Sequence, residues 1–263
     1  FRVILDYAHN PAAVKAMCDV VDRFDVGAGV YVRALAAEPE ANALWVGTSV
    51  GVLEIDLTDH SVRQTFTRDD GLANEYVFAI GIDPQGYKWF GTNAGGASKY
   101  KDGEWKTFFP MHGLADYWIY SFAWQPDGTQ WIGTWAGVNK RAPGETGFIT
   151  YVDELVNEWV YGIAVDSKSR VWFGTEGGIS RFDRATGTFA HIAAGQGEPG
   201  TLSSNRVTSF LEDGHGNMWV GTDSGGLNLI DAEIGTISVF RHEPSNPTSI
   251  ADDTIYSLSV DRD

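Results

Sequence analysis

Residues 70–92 read DGLANEYVFAIGIDPQGYKWFGT. Two short apolar stretches, YVFAIGI and YKWFGT, flank DPQG, whose Asp, Pro and Gly favour a tight turn, so the run predicts an antiparallel hairpin. Beyond the next glycines come GASKY and EWKTFF, two more runs of strand length, which make a four-stranded unit. The same order returns downstream as WVYGIAV, DSKS, RVWFGT, GISRF and GTFAHI.

The tetrapeptide W-x-G-T is the marker of this unit. It occurs at Trp45–Thr48, Trp89–Thr92, Trp131–Thr134, Trp172–Thr175 and Trp219–Thr222, with successive tryptophans 44, 42, 41 and 47 residues apart. A four-stranded repeat of about 40–45 residues is a propeller blade, and one blade cannot cover its own apolar faces, so neighbours must stack around an axis. Tryptophan is expected to fill the wedge between blades, glycine to admit a neighbouring backbone, and threonine to end the strand. Residues 254–260, TIYSLSV, match an inner strand, while VYVRALA already supplies one to the first unit. The fold class is therefore all-β, a propeller of five complete blades and the first strand of a sixth over residues 28–263.

Composition agrees and excludes. The 263 residues include 31 glycines and 10 tryptophans, and a formal charge of −16 argues against a nucleic-acid backbone or an anionic membrane as main partner. The single cysteine, Cys18, allows no intrachain disulfide. No run approaches the length of a bilayer-spanning helix and no leader is visible, so membrane insertion by this chain is not expected.

The stretch DGLANEYVFAIGIDPQGYKWFGT resembles the two-component-regulator propeller repeat. The resemblance implies a sensor module of bacterial signalling proteins, periplasmic or extracellular, without a kinase or DNA-binding module in this sequence. The opening segment FRVILDYAHNPAAVKAMCDVVDRFDV follows a different pattern: a strand, an AHNP turn, and helical apolar spacing at Val14, Met17, Val20, Val21 and Phe24. Its Asp6, Tyr7, Ala8, His9, Asn10 and Pro11 resemble the start of the C-terminal domain of Mur-type ligases, cyanophycin synthetase most closely. That resemblance implies His9 and Asn10 beside an ATP adenosine. No Gly-Lys pair occurs anywhere, so the phosphate loop of such ligases is missing, and residues 1–27 read as a cap, a fusion or a remnant.

Binding is expected at the mouth of the central channel, where loops between second and third strands meet those joining consecutive blades. The residues after each W-x-G-T are Ser49, Asn93, Trp135, Glu176 and Asp223. Those just ahead of an inner strand are Tyr76, Trp118, Trp159, Arg206 and Thr254. An aromatic mouth carrying Glu176 and Asp223 can stack on sugar faces and accept hydroxyl hydrogen bonds. The expected ligand is thus a small molecule or oligosaccharide, bound without catalysis and without a cofactor. Two other readings remain: a protein-interaction scaffold, and a metal-dependent propeller enzyme similar to streptogramin lyases. None of the six histidines has metal-ligand spacing, although His112 and His242 are placed to reach the mouth face. DGHGN (213–217) occupies the position of DPQG and is read as a turn, not a calcium loop.

Overall fold

The computed structural model describes residues 30–195, 200–231 and 235–258. The strand and helix expected over residues 1–27, with His9, Asn10 and Cys18, lie outside them, as do 259–260 of the sixth inner strand.

Among the described residues twenty strands form five four-stranded antiparallel sheets, each in simple meander order. The first blade is β1 (Val32–Glu38), β2 (Ala43–Thr48), β3 (Gly51–Asp56) and β4 (Val62–Phe66). The second is β5 (Val77–Ile82), β6 (Lys88–Thr92), β7 (Ala97–Lys101) and β8 (Glu104–Phe108). The third is β9 (Ile119–Trp124), β10 (Gln130–Thr134), β11 (Gly137–Arg141) and β12 (Ile149–Tyr151). The fourth is β13 (Val160–Val165), β14 (Val171–Thr175), β15 (Gly178–Asp183) and β16 (Thr188–Ile192). The fifth is β17 (Val207–Glu212), β18 (Met218–Thr222), β19 (Leu227–Ile230) and β20 (Ile237–Phe240). The inner strands pack in sequence around the axis, β1 on β5, β5 on β9, β9 on β13 and β13 on β17.

Each member of W-x-G-T has its own physical task. The tryptophan indoles of the first four blades are almost fully buried and meet an aromatic ring of the next blade: Trp45 meets Phe90, Trp89 meets Phe122, Trp131 meets Phe173 and Trp172 meets Phe210, at centroid distances of 5.2–6.3 Å. A buried indole N–H needs an acceptor. Trp89, Trp172 and Trp219 donate to Asp83, Asp166 and Asp213 at 3.0, 2.8 and 3.1 Å. Trp131 donates to Gln125 and Trp45 to Glu38. The same aspartates accept backbone N–H groups of the inner turn, as Asp213 does from His215 and Asn217, so DGHGN is a turn closed by its own carboxylate.

The glycine stands where the next blade begins. A Cβ on Gly91 would lie 2.8 Å from Ile119, and one on Gly174 would lie 2.8 Å from Val207. The threonine hydroxyl donates across the hairpin, Thr92 to the Gly96 carbonyl at 2.9 Å and Thr175 to the Gly178 carbonyl at 2.8 Å, which terminates the second strand and fixes the third.

Residues 253–258 occupy the place of a sixth inner strand. Gly226 N–H donates to the Asp253 carbonyl at 2.7 Å, as Gly96 N–H does to Tyr117 and Gly137 N–H to Glu158. A Cβ on Gly221 would meet Ile255 at 2.9 Å, the same approach that Ile119 makes to Gly91. Among the described residues this segment joins no sheet ladder.

Candidate functional site

Every inner strand begins with a β-bulge at the same point. In β5 the register steps from Val77↔Thr92 to Ala79↔Gly91, leaving Phe78 unpaired. The steps in β1, β9, β13 and β17 likewise leave out Arg33, Tyr120, Tyr161 and Thr208. A bulge frees one residue from the pleat and re-aims its side chain. These five residues, joined by Tyr256, line a central cavity of about 520 Å³. That lies within the range of roughly 300–1,000 Å³ usual for ligand pockets.

The two sets of mouth residues expected from sequence prove to be partners. Asn93 N–H donates to the Tyr76 carbonyl at 2.9 Å, Trp135 to Trp118 at 3.2 Å, Glu176 to Trp159 at 3.2 Å and Asp223 to Arg206 at 2.9 Å. Each pair therefore sits side by side at the top of its blade. Of the eight, Arg206 and Asp223 line the cavity itself. The aromatic members pack outward from the ring of bulged residues.

Aromatic contact is continuous over three blades. Tyr76 meets Phe78 at 5.2 Å, and Phe78 meets Tyr120 at 5.1 Å and Trp118 at 6.2 Å. Trp118 meets Trp135 at 5.3 Å, and Trp135 meets Trp159 at 4.5 Å. Tyr120 links the inner and outer rows through Trp135 at 6.0 Å and Tyr161 at 5.7 Å. Trp135 is 36% exposed, so the arc presents ring surface to solvent.

The acidic residues already carry partners from the protein. Arg206 lies between them, with Nε 3.2 Å from Glu176 and Nη1 2.8 Å from Asp223. Tyr161 donates its hydroxyl to Glu176 at 2.8 Å, and the Thr254 hydroxyl reaches Asp223 at 3.4 Å. Burial, and then the Glu176 carboxylate, push the Tyr161 phenol up to about 12, and burial also raises Tyr120. Both stay protonated at neutral pH. The Tyr120 hydroxyl has no hydrogen-bond partner among the described residues and lies on the cavity wall.

Three of the described histidines make local hydrogen bonds. His112 Nδ1 accepts the Phe109 N–H at 3.0 Å, the role that Asp70 plays for Thr67 in the preceding loop. His242 contacts the Ile250 carbonyl, and His191 contacts Ser180 in the third strand of its blade. No group of three metal-binding side chains is found among the described residues.

The channel ring of Arg33, Phe78, Tyr120, Tyr161, Thr208 and Tyr256 escaped the sequence reading, which looked only at loop positions. A signal was available: each follows a Val or Ile and precedes a small residue, as in Val160-Tyr161-Gly162 and Ile255-Tyr256-Ser257.

Two segments, residues 154–177 and 201–224, match the family model described as two component regulator propeller. They cover the inner two strands of the fourth and fifth blades. Among curated proteins no match to the chain is found. Among solved structures, the extracellular domain of a one component system from B. thetaiotaomicron is similar at 21% identity and a TM-score of 0.73, over 88% of this chain and 30% of that one. The extracellular domain of a hybrid two component system from the same organism is similar at 23% identity and a TM-score of 0.70, over 78% of this chain and 28% of that one. The present chain thus spans under a third of the length of either. A streptogramin B lyase structure is similar at 18% identity and a TM-score of 0.59, over 79% of this chain and 67% of that one. Identities this low speak for a shared fold alone.

Proposed function

We propose that the chain is a ligand-binding sensor propeller that takes a small carbohydrate at the mouth of its central channel, without chemical turnover. The observation that carries this reading is the unbroken aromatic arc Phe78, Trp118, Tyr120, Trp135, Trp159 and Tyr161 beside a cavity of sugar-accepting size. Pyranose rings bind by laying their C–H faces on such rings while their hydroxyls find fixed polar partners. Tyr120 and the Arg206 network supply those partners. The repeat match, and the likeness to two extracellular domains of signalling systems, support a sensory role outside the cytoplasm.

The test is a thermal-shift screen of the purified chain against neutral and charged oligosaccharides, nucleotides and divalent metals. A ligand at a hundred times its dissociation constant adds about 2.7 kcal/mol of stability, which is readily seen. A shift with sugars, accompanied by a change in tryptophan emission, is the expected result. A folded chain that responds to metals or nucleotides and to no sugar overturns the reading.

A further inference from the structure

The charges around the cavity are unevenly satisfied. Arg206 is held by Glu176 and Asp223. Arg33, the charged member of the six-residue channel ring, has no carboxylate partner among the described residues. Its Nε and Nη2 instead donate to the phenolic oxygen of Tyr76 at 3.2 and 2.8 Å, and its guanidinium stands 5.6 Å from the centre of that ring. Arg33 is exposed and lines the cavity.

This arrangement leaves two donors pointing away from used partners. The phenolic oxygen of Tyr76 accepts from Arg33, so its own O–H proton is left to donate elsewhere. The remaining guanidinium nitrogen, Nη1, is likewise unengaged among the described residues. Arginine prefers recognition of an oxyanion through several N–H groups, and such charge-assisted bonds are about twice as strong as neutral ones. Phe78 stands 5.2 Å from Tyr76, so an anionic group held by this pair lies next to the first ring of the aromatic arc.

We propose that Arg33 and the Tyr76 hydroxyl form an oxyanion subsite, and that the sugar recognised at this mouth carries a carboxylate or a sulfate. The inference rests on the carbohydrate reading above and adds a charge to its ligand. Arg33 draws the anion out of water, Tyr76 fixes the guanidinium and adds one donor, and the adjacent aromatic faces carry the ring to which the anion is attached.

The test is calorimetric titration of the purified chain with three oligosaccharides of equal length: a neutral hexose oligomer, a hexuronic acid oligomer and a sulfated hexose oligomer. One or both anionic sugars are expected to bind tighter than the neutral one, and which of them does so identifies the anion. Arg33→Met is expected to weaken that sugar by about tenfold to a hundredfold and the neutral sugar far less. Tyr76→Phe keeps the ring and removes the hydroxyl, so it is expected to give a smaller loss confined to the same sugar. It also serves as the readout if Arg33→Met does not fold. Equal binding of all three sugars, or equal loss for all three in the variants, overturns the subsite and leaves the carbohydrate reading intact. Binding of none of them to the folded chain, with no sugar active in the thermal screen, removes both.

Discussion

The backbone N–H of Trp135 donates to the carbonyl of Trp118, and the two indoles meet nearly edge-on at 5.3 Å. One residue follows a second strand and the other precedes an inner strand. Hairpin closure therefore places two large aromatics together at the lip of the third blade, and Trp159 of the fourth adds a third at 4.5 Å. Trp135→Ala is expected to leave the fold intact, since the indole is 36% exposed, and to weaken an identified sugar ligand about tenfold. Titration calorimetry with a parallel thermal melt checks both halves of the statement.

The wedge tryptophans behave differently. Asp166 is buried and accepts from Trp172 Nε1 at 2.8 Å and from Arg170 Nε at 2.6 Å. Asp166→Ala is expected to cost about 2–4 kcal/mol, because it strands an indole N–H and a guanidinium. Asp166→Asn should cost distinctly less, since the third blade already seats Trp131 on the amide of Gln125. Urea unfolding of the two variants measures the difference.

Gly174 isolates the steric demand of blade stacking. A Cβ there would lie 2.8 Å from both Val207 Cγ1 and the Val207 carbonyl oxygen. Gly174→Ala is expected to lose about 1–3 kcal/mol through forced separation of the fourth and fifth blades. Gly147→Ala, where a Cβ meets nothing within 4 Å, is expected to be neutral or slightly stabilising. Equal melting temperatures for the two variants would contradict the assigned role.

Asp56 provides a pH marker. Its hydrogen bond with Arg63, and then the Thr58 N–H, lower its carboxyl from the ordinary 3.8 to about 2. The depressed value means that this stabilising contribution is complete above 3.8 and is lost as the pH falls toward 2. Arg63→Met is expected to move the Asp56 titration back toward 3.8, followed by carboxyl chemical shifts. An unmoved midpoint would mean that Arg63 is not the cause.

The architecture was legible because packing repeats. Trp45, Trp89, Trp131 and Trp172 fill the same wedge between blades, so they recur with their glycine and threonine, Trp219 recurs in register with them, and the blades follow. The mouth was legible in location, since loop positions such as Trp118 and Trp135 are fixed by the frame. Its chemistry was only half legible. Glu176 and Asp223 stand in the fourth and fifth repeats, and the sequence did not show that the side chain of Arg206, from the fifth, lies between them. Tyr120 and Tyr161 were passed over because a period of two assigns every strand residue to one sheet face or the other. A bulge creates a third direction that alternation does not describe.

Since the bulged residue stands outside the ladder, a change from Phe78 to tyrosine or arginine alters the channel wall without shifting the pairing of Val77 or Ala79. Strand pairing and the lining of the channel are thereby written at separate addresses in each repeat. A lineage can thus remodel the channel wall by rewriting a handful of positions that stand outside the strand pairing, and duplicating a blade adds another such position.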